Sequence, residues 1–227
     1  MSRDNLNDSA WSRPPPPLES DEELFVDFRF TVKAMSKIDT VEGTAFVQFD
    51  ITLHWTDSRL ANWTDGVDLP PRLWTPRFNW HNTVSHKSDF LAPAILGLKR
   101  KHLGNKGRLR LRQSLSGIVK NPMDLRAFPF DVDDVECGLR TGIHSRLADG
   151  TNETVCNSGR LYVARKIQDP NEGSWLNVGQ YSGEVDEWTL FGVSTEIDHQ
   201  KANSQGQQKT EVRLSFHVAR GAAYYFW

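Results

Sequence analysis

The chain has 227 residues, and its 27 lysines and arginines nearly balance its 29 aspartates and glutamates. This length suffices for one large domain with a buried core, and the lack of a basic surplus argues against a nucleic-acid-binding surface. No run of about 18 apolar residues occurs, so the sequence predicts no membrane span. Residues 1–20 are polar and rich in proline, and they do not resemble a signal peptide.

The chain is predicted to begin with a tail and to continue as one domain. Pro14 to Pro17 form an uninterrupted proline run, and residues 1–20 are predicted to be a flexible or polyproline segment. Residues 21–227 are predicted to form the domain. Its first strand, from Phe25 to Ala34, alternates apolar with polar side chains, as half-buried strands do. The second strand alternates in the same way from Val47 to Trp55.

Later segments repeat this alternation. Arg108, Arg110 and Arg112 alternate with two leucines, and another strand is predicted to start at Val135. Residues 188–197 predict a further strand. The inward side of the last strand consists of Val212, Leu214, Phe216 and Val218. Short strands separated by turns at regular intervals predict an all-β, immunoglobulin-like sandwich of about ten strands.

The segment from Asn121 to Cys137 differs from these strands. At its centre, Phe128-Pro129-Phe130 sets two aromatic rings around a residue that has a locked φ and no backbone donor. This triplet predicts a rigid bend whose rings need a surface to pack on. On the residues alone, the segment is a surface loop with an aromatic anchor.

The same segment has a recognisable pattern. The spacing Pro-x-Asp-x-Arg-x-Phe-Pro-Phe-Asp, from Pro122 to Asp131, resembles the signature loop of the pentameric ligand-gated ion channels, the Cys-loop or Pro-loop receptors. The two cysteines of the usual loop are replaced by Asn121 and Val135. The resemblance is therefore to the prokaryotic-type branch, which lacks this disulfide.

Other motifs follow in the family's order, from about Val26 to Trp227. The Trp-x-Asp-x-Arg-Leu pattern corresponds to Trp55–Leu60 and the Trp-x-Pro pattern to Trp74–Pro76. The first inter-strand turn, the start of the ninth strand and the end of the tenth strand resemble Asp39–Glu42, Glu187-Trp188 and Arg220 with Tyr224-Tyr225.

The resemblance implies the ligand-sensing domain of a channel subunit at the cell membrane, facing the extracellular or periplasmic side. It implies a homopentamer that binds a small ligand between subunits, with the channel domain lying outside this sequence. Two alternatives remain: a soluble binding protein of the same fold, and a β-sandwich carbohydrate-binding or adhesion module. No metal-ligand spacing, nucleophile motif or phosphate-binding loop occurs, so we expect neither an enzyme nor a bound cofactor.

By position, the resemblance assigns ligand-binding residues to two faces. One face comprises the hairpin His199 to Lys209 together with Arg77, Trp80, His81, Arg140 and His144. The other comprises Gln48, Asp50, Thr52, Arg110 and Arg112. On the residues alone, the arginine row is a solvated strand face.

The residue types at these positions indicate an anionic ligand. Amine ligands need a cage of several aromatic faces, which Trp80 and His81 alone cannot complete. Arginine side chains instead offer forked donors that match carboxylates. Asp50 opposes this prediction unless an arginine neutralises it, and proton sensing through His81 and His144 is an alternative.

The resemblance also implies residues that transmit binding to the pore. These are Asp39, Glu42, Phe128, Pro129, Phe130, Asp131 and Arg220. We expect Arg220 to be buried and paired with Asp131, because a buried guanidinium needs a carboxylate partner. Cys137 and Cys156 lie at the two ends of one predicted loop and are expected to form a disulfide, the alternative being two free thiols.

Overall fold

The computed structural model describes residues 11, 15, 24–61, 63, 68–70, 73–76, 78–90, 94–95, 107–141, 144–146, 152–154, 163–166, 176–178, 184–185, 187–199 and 210–221. The long strands within these residues are β1 (Phe25–Asp39), β2 (Thr44–Thr56), β4 (Thr83–Phe90), β6 (Arg108–Lys120), β7 (Val132–Thr141), β13 (Trp188–His199) and β14 (Thr210–Arg220). The short strands are β3 (Phe78–Trp80), β5 (Ala94–Ile95), β8 (His144–Arg146), β9 (Asn152–Thr154), β10 (Val163–Lys166), β11 (Leu176–Val178) and β12 (Glu184–Val185). Two 3-10 helices, Ser58–Leu60 and Leu125–Ala127, lie between strands.

The long strands form two antiparallel sheets. The first sheet has the order β10-β1-β2-β6-β4, with β11 also pairing with β1 and β5 with β6. The second has the order β12-β13-β14-β7-β3, and β8 pairs with β9 separately. Only β10 and β11 run parallel to their neighbour β1 among the described pairings. These sheets confirm the predicted all-β sandwich.

Alternation along the strands builds the core. Phe28, Phe30 and Phe49 are fully buried, and their rings meet edge to face with centroids 5.3 Å and 5.8 Å apart. Burial of one such side chain stabilises the fold by about 1.5–3 kcal/mol. The opposite sheet contributes Val135, Cys137, Leu139, Val212, Leu214, Phe216 and Val218. Because successive side chains point to opposite sides, the residues between these positions lie on the outer faces of the sandwich.

The Trp-x-Asp-x-Arg-Leu motif organises one end of the sandwich, which we call the apex (residues 56–61 and Gly107). Asp57 is fully buried and caps the first 3-10 helix by accepting from the Arg59 backbone N–H. Its carboxylate also accepts from Arg59 Nε at 2.8 Å and Nη2 at 2.6 Å. Gly107 has a φ of +74°, and a Cβ there would lie 2.0 Å from the Asp57 carbonyl oxygen, so glycine is required.

Trp11 also packs at the apex. Its indole is 5% exposed, lies 4.8 Å from the guanidinium carbon of Arg59, and meets the Trp63 ring edge to face. Its carbonyl oxygen accepts a hydrogen bond from the Trp74 N–H at 2.8 Å. Trp11 is thus fixed by tertiary contacts, whereas residues 1–10, 12–14 and 16–20 of the predicted tail lie outside the described residues.

The opposite end, the base, combines the β1–β2 turn (Asp39–Gly43) with the loop from Asn121 to Asp131. Asp39 Oδ1 accepts from the backbone N–H groups of Val41 and Glu42 at 2.9 Å. Asn121 joins the two parts by donating its N–H to the Gly43 carbonyl oxygen at 2.7 Å. The Phe128-Pro129 peptide bond is cis.

Candidate functional site

A buried carboxylate organises the outer face of the second sheet. Glu211 on β14 lies directly opposite Arg140 on β7 and is 6% exposed. Arg140 Nε donates to Glu211 Oε2 at 2.9 Å, and His81 Nε2 lies 3.3 Å from Glu211 Oε1. Burial raises the pKa of Glu211, but the hydrogen bond and charge of Arg140, together with His81, outweigh it and hold the pKa below its ordinary value. Glu211 therefore stays ionised and fixes both partners.

Glycine makes room for the histidine in this cluster. A Cβ at Gly138 would lie 2.1 Å from His81 Nε2, so only glycine lets the imidazole rest against β7. The His81 N–H donates to the Gly138 carbonyl oxygen, and Asn82 accepts from the Gly138 N–H, both at 3.0 Å. These contacts orient His81 toward Glu211.

A second carboxylate cluster lies on the outer face of the first sheet. Asp50 on β2 is 4% exposed. Arg112 on β6 donates to its Oδ2 through Nε at 3.1 Å and also through Nη2, and Lys33 Nζ lies 3.3 Å from the same oxygen. Burial raises the pKa of Asp50, whereas Arg112, Ser114 and Lys33 together lower it further, so its pKa lies below the ordinary value. Arg112 and Lys33 thus neutralise the Asp50 carboxylate, which was the condition for this face to accept an anion.

The other predicted residues of this face surround Asp50. Thr52 is 7% exposed and pairs with Arg112 across the β2–β6 ladder, and Gln48 pairs with Ser116. Arg110 is exposed. It forms no ion pair with any residue that the structure describes.

Not every predicted ligand residue lies on an outer face. Trp80 pairs with the inward-facing Leu139, and its indole is 5% exposed and packs edge to face on Phe49 at 5.3 Å. The structure thus corrects its assignment: Trp80 is a core residue. His144 begins β8, but its side chain is not among those described. Arg77 and residues 200–209 of the hairpin lie outside the described residues.

The base contains the predicted buried ion pair. Arg220 donates from Nε to Asp131 Oδ2 at 2.9 Å, and the two side chains are 3% and 1% exposed. Its Nη1 donates to Glu187 Oε1 at 3.0 Å. The guanidinium lies over the rings of Trp188 and Phe128, at 4.6 Å and 5.0 Å from their centroids. The prediction that Arg220 is buried and paired with Asp131 is confirmed.

Several large apolar side chains at the base are exposed. Phe128 is 52% exposed, Phe130 64% and Val41 89%, so both rings of the bend and the tip of the β1–β2 turn face outward at the base. Large exposed apolar groups that lie together mark contact surfaces. The aromatic anchor expected from the residues alone is therefore only half packed.

Residues 4–222 match the family model described as the neurotransmitter-gated ion-channel ligand binding domain. The chain belongs to this family. No curated protein sequence gives a significant match to this ligand-binding domain. Its described part contains no helix long and apolar enough to cross a membrane, and no cluster of three metal-ligating side chains occurs among the described residues.

The predicted disulfide of the ligand-binding domain involves one described cysteine. Cys137 is fully buried in β7, and burial, with the nearby charge of Glu136, raises the pKa of its thiol. It has no disulfide partner among the described residues, and Cys156 lies outside them. The Cys137–Cys156 disulfide therefore stays a prediction.

Sequence reasoning missed three residues of these clusters: Glu211, Lys33 and Glu187. Glu211 had a detectable signal, because it is the outward residue immediately before the apolar positions of the last strand. Lys33 lies between Val32 and Ala34, where the register of β1 against β2 shifts. Simple alternation of side chains does not detect such a shift. Glu187 belongs to a recognised sequence motif, but the motif does not indicate that Arg220 is its partner.

Proposed function

We propose that this domain is the ligand-sensing part of a pentameric ligand-gated channel at the cell surface and that it binds a small ligand between adjacent copies. One observation supports this proposal above all. Asp50, Thr52, Arg110 and Arg112 lie on the outer face of the first sheet, whereas His81, Arg140 and Glu211 lie on the outer face of the second. The two sets are on opposite sides of one sandwich, so only two copies can bring them together. A head-to-tail contact of this kind closes into a ring when the rotation from one copy to the next is a whole fraction of a full turn.

The charges favour a small carboxylate as the ligand. Arg112 and Arg140 are held by internal carboxylates, at Asp50 and Glu211, and present their remaining donors outward with side chains 51% and 42% exposed. Arg110 adds an exposed guanidinium that has no internal ion pair among the described residues. With Trp80 in the core, an aromatic cage for an amine lacks its expected member.

Calorimetric titration of the domain with small dicarboxylates and with choline esters tests this ligand class. We expect the dicarboxylates to bind, and Arg110→Ala to weaken them by about tenfold or more, because a hydrogen bond to a charged group contributes roughly 1.5–3 kcal/mol. Arg126→Ala is the matched control, since Arg126 is 90% exposed at the base and away from both clusters. Tight binding of choline esters that Arg110→Ala leaves unchanged would contradict the proposal.

The base is the proposed route to the pore. The exposed Val41, Phe128 and Phe130 would contact the channel domain, and the Arg220–Asp131 pair would hold the bend against the last strand. In the full-length channel, Arg220→Ala should leave ligand binding intact while abolishing ligand-evoked current. Normal currents from the Arg220→Ala channel would refute this role.

A further inference from the structure

The outer faces of the two sheets carry opposite charge. On the first sheet, the basic face consists of the outward side chains of β1, β2 and β6, whose charged members are Arg29, Lys33, Arg108, Arg110, Arg112 and Lys120 against Asp27 and Asp50. On the second, the acidic face consists of the outward side chains of β7, β13 and β14, whose charged members are Asp134, Glu136, Glu196, Asp198 and Glu211 against Arg140 and Arg213. The surplus charges are thus of opposite sign.

Internal ion pairs occupy both arginines of the acidic face and the buried aspartate of the basic face. On the acidic face, Arg140 binds Glu211. Arg213 Nη1 lies 3.4 Å from Glu196 Oε2, and Arg213 Nε lies 3.6 Å from Glu136 Oε2. These contacts occupy both arginines and leave an acidic excess. Glu196 remains 72% exposed, and Asp198 is exposed without an ion pair to any described residue.

The basic face shows the mirror pattern. Its buried carboxylate, Asp50, is taken by Arg112 and Lys33. Arg110 and Lys120 are exposed and have no ion pair within the described part of the chain. Each sheet face thus keeps an uncompensated charge, and the two charges have opposite sign. The faces are therefore complementary in charge rather than in apolar area.

We propose that the basic face of one copy binds the acidic face of the next and that charge attraction drives this contact. The inference rests on the proposed function, since it names what holds adjacent copies together around the ligand. Complementary faces steer association, and like charges brought together oppose it. The arrangement also disfavours a two-fold dimer through either face, because basic would meet basic or acidic would meet acidic.

Salt provides the first test. Sedimentation velocity of the chain should show concentration-dependent association at low salt that is lost at high salt, because the screening length falls from roughly 30 Å at about 0.01 M to roughly 3 Å at about 1 M. The same experiment in the presence of a neutral osmolyte in place of salt should leave association intact. Association that strengthens with salt, or a chain that remains monomeric at low salt, would overturn the proposal.

Charge reversal provides the second test. Arg110→Glu with Lys120→Glu reverses exposed positions of the basic face, and Glu196→Lys with Asp198→Lys reverses exposed positions of the acidic face. Each double variant should associate at least about tenfold more weakly than the native chain, since each surface pair contributes roughly 0.2–1 kcal/mol and reversal turns attraction into repulsion. Mixing the two double variants should restore association, because each then meets a partner of opposite charge.

Arg126→Glu is the control, since it changes charge at the base without touching either face. It should associate like the native chain. Equal weakening by this control, or two double variants that fail to associate when mixed, would overturn the inference. Loss of ligand binding or of current in the full-length channel with normal face-to-face association would instead contradict only the proposed function, so the two failures are distinguishable.

Discussion

Removal of Arg220 should destabilise the domain strongly. In Arg220→Ala, the Asp131 carboxylate would lose its ion pair while only 1% of its side chain is exposed. Breaking a buried pair by removing one partner costs about 3–5 kcal/mol, because the remaining charge stays desolvated. The guanidinium contacts with Trp188 and Phe128 are lost as well. For a chain of this size, the melting temperature should fall by roughly 6–20 °C.

Urea unfolding measures this effect directly, and the chain supplies its own control. Arg126 and Asp124 form a second arginine–aspartate pair, with side chains 90% and 51% exposed. Because exposed pairs contribute little, Arg126→Ala should change the free energy of unfolding by less than about 0.5 kcal/mol. The double variant Arg220→Met with Asp131→Leu should recover most of the loss, since no buried charge remains.

A loss below about 1 kcal/mol for Arg220→Ala would refute this reasoning. So would a double variant that is as unstable as the two single losses added together. Either result would mean that water reaches Asp131 at the base and that the ion pair is not the element that holds the bend to the last strand.

Three further outcomes follow from individual contacts. The pKa of Asp50 is lowered in the folded protein, so its ion pairs stabilise the fold above its ordinary pKa of 3.8, and this stability is lost as the pH falls through the lower folded value. In urea unfolding, Asp50→Asn should therefore reduce the dependence of the unfolding free energy on pH below about pH 4. An unchanged dependence on pH would contradict this prediction. Gly107→Ala should cost more than about 2 kcal/mol, since its φ is positive and its Cβ would overlap a backbone oxygen, whereas Gly221→Ala should be nearly neutral by the same assay. Gly138→Ala should displace the His81 ring and weaken ligand binding as much as His81→Ala does; native affinity in Gly138→Ala alone would show that the ring position is irrelevant.

The long strands and the Arg220–Asp131 ion pair could be predicted from the sequence because their signals are local. Val47, Phe49 and Ile51 alternate over enough residues to fix both the strand and its inward side. The Arg220–Asp131 pair was predictable because the sequence pattern identified the loop that contains Asp131 and because a buried guanidinium needs a carboxylate partner. Both predictions needed only chain order and charge.

The candidate ligand site was less predictable because it depends on register between distant segments. Trp80 belongs to a three-residue strand, which is too short for periodicity to fix its side, and a shift of one residue turns a side chain from the outer face to the core. Glu211 is an outward residue whose burial comes from Arg140 and His81 on other elements. No local pattern brings these three residues together. The structure also has a short strand, β11 beside β1, within residues 168–183, where the proline and glycine content indicates only irregular chain.

The position of Trp11 changes where a truncation of this domain can safely begin. A shortened protein starting at residue 21 would keep every strand that the structure describes and still remove an indole that is 5% exposed. The cut would uncover the Arg59 guanidinium and one edge of the Trp63 ring, and it would leave the Trp74 N–H without the carbonyl oxygen it binds. The folding unit is therefore longer than its sheets, and fusion partners or affinity tags belong before Trp11 rather than in place of it.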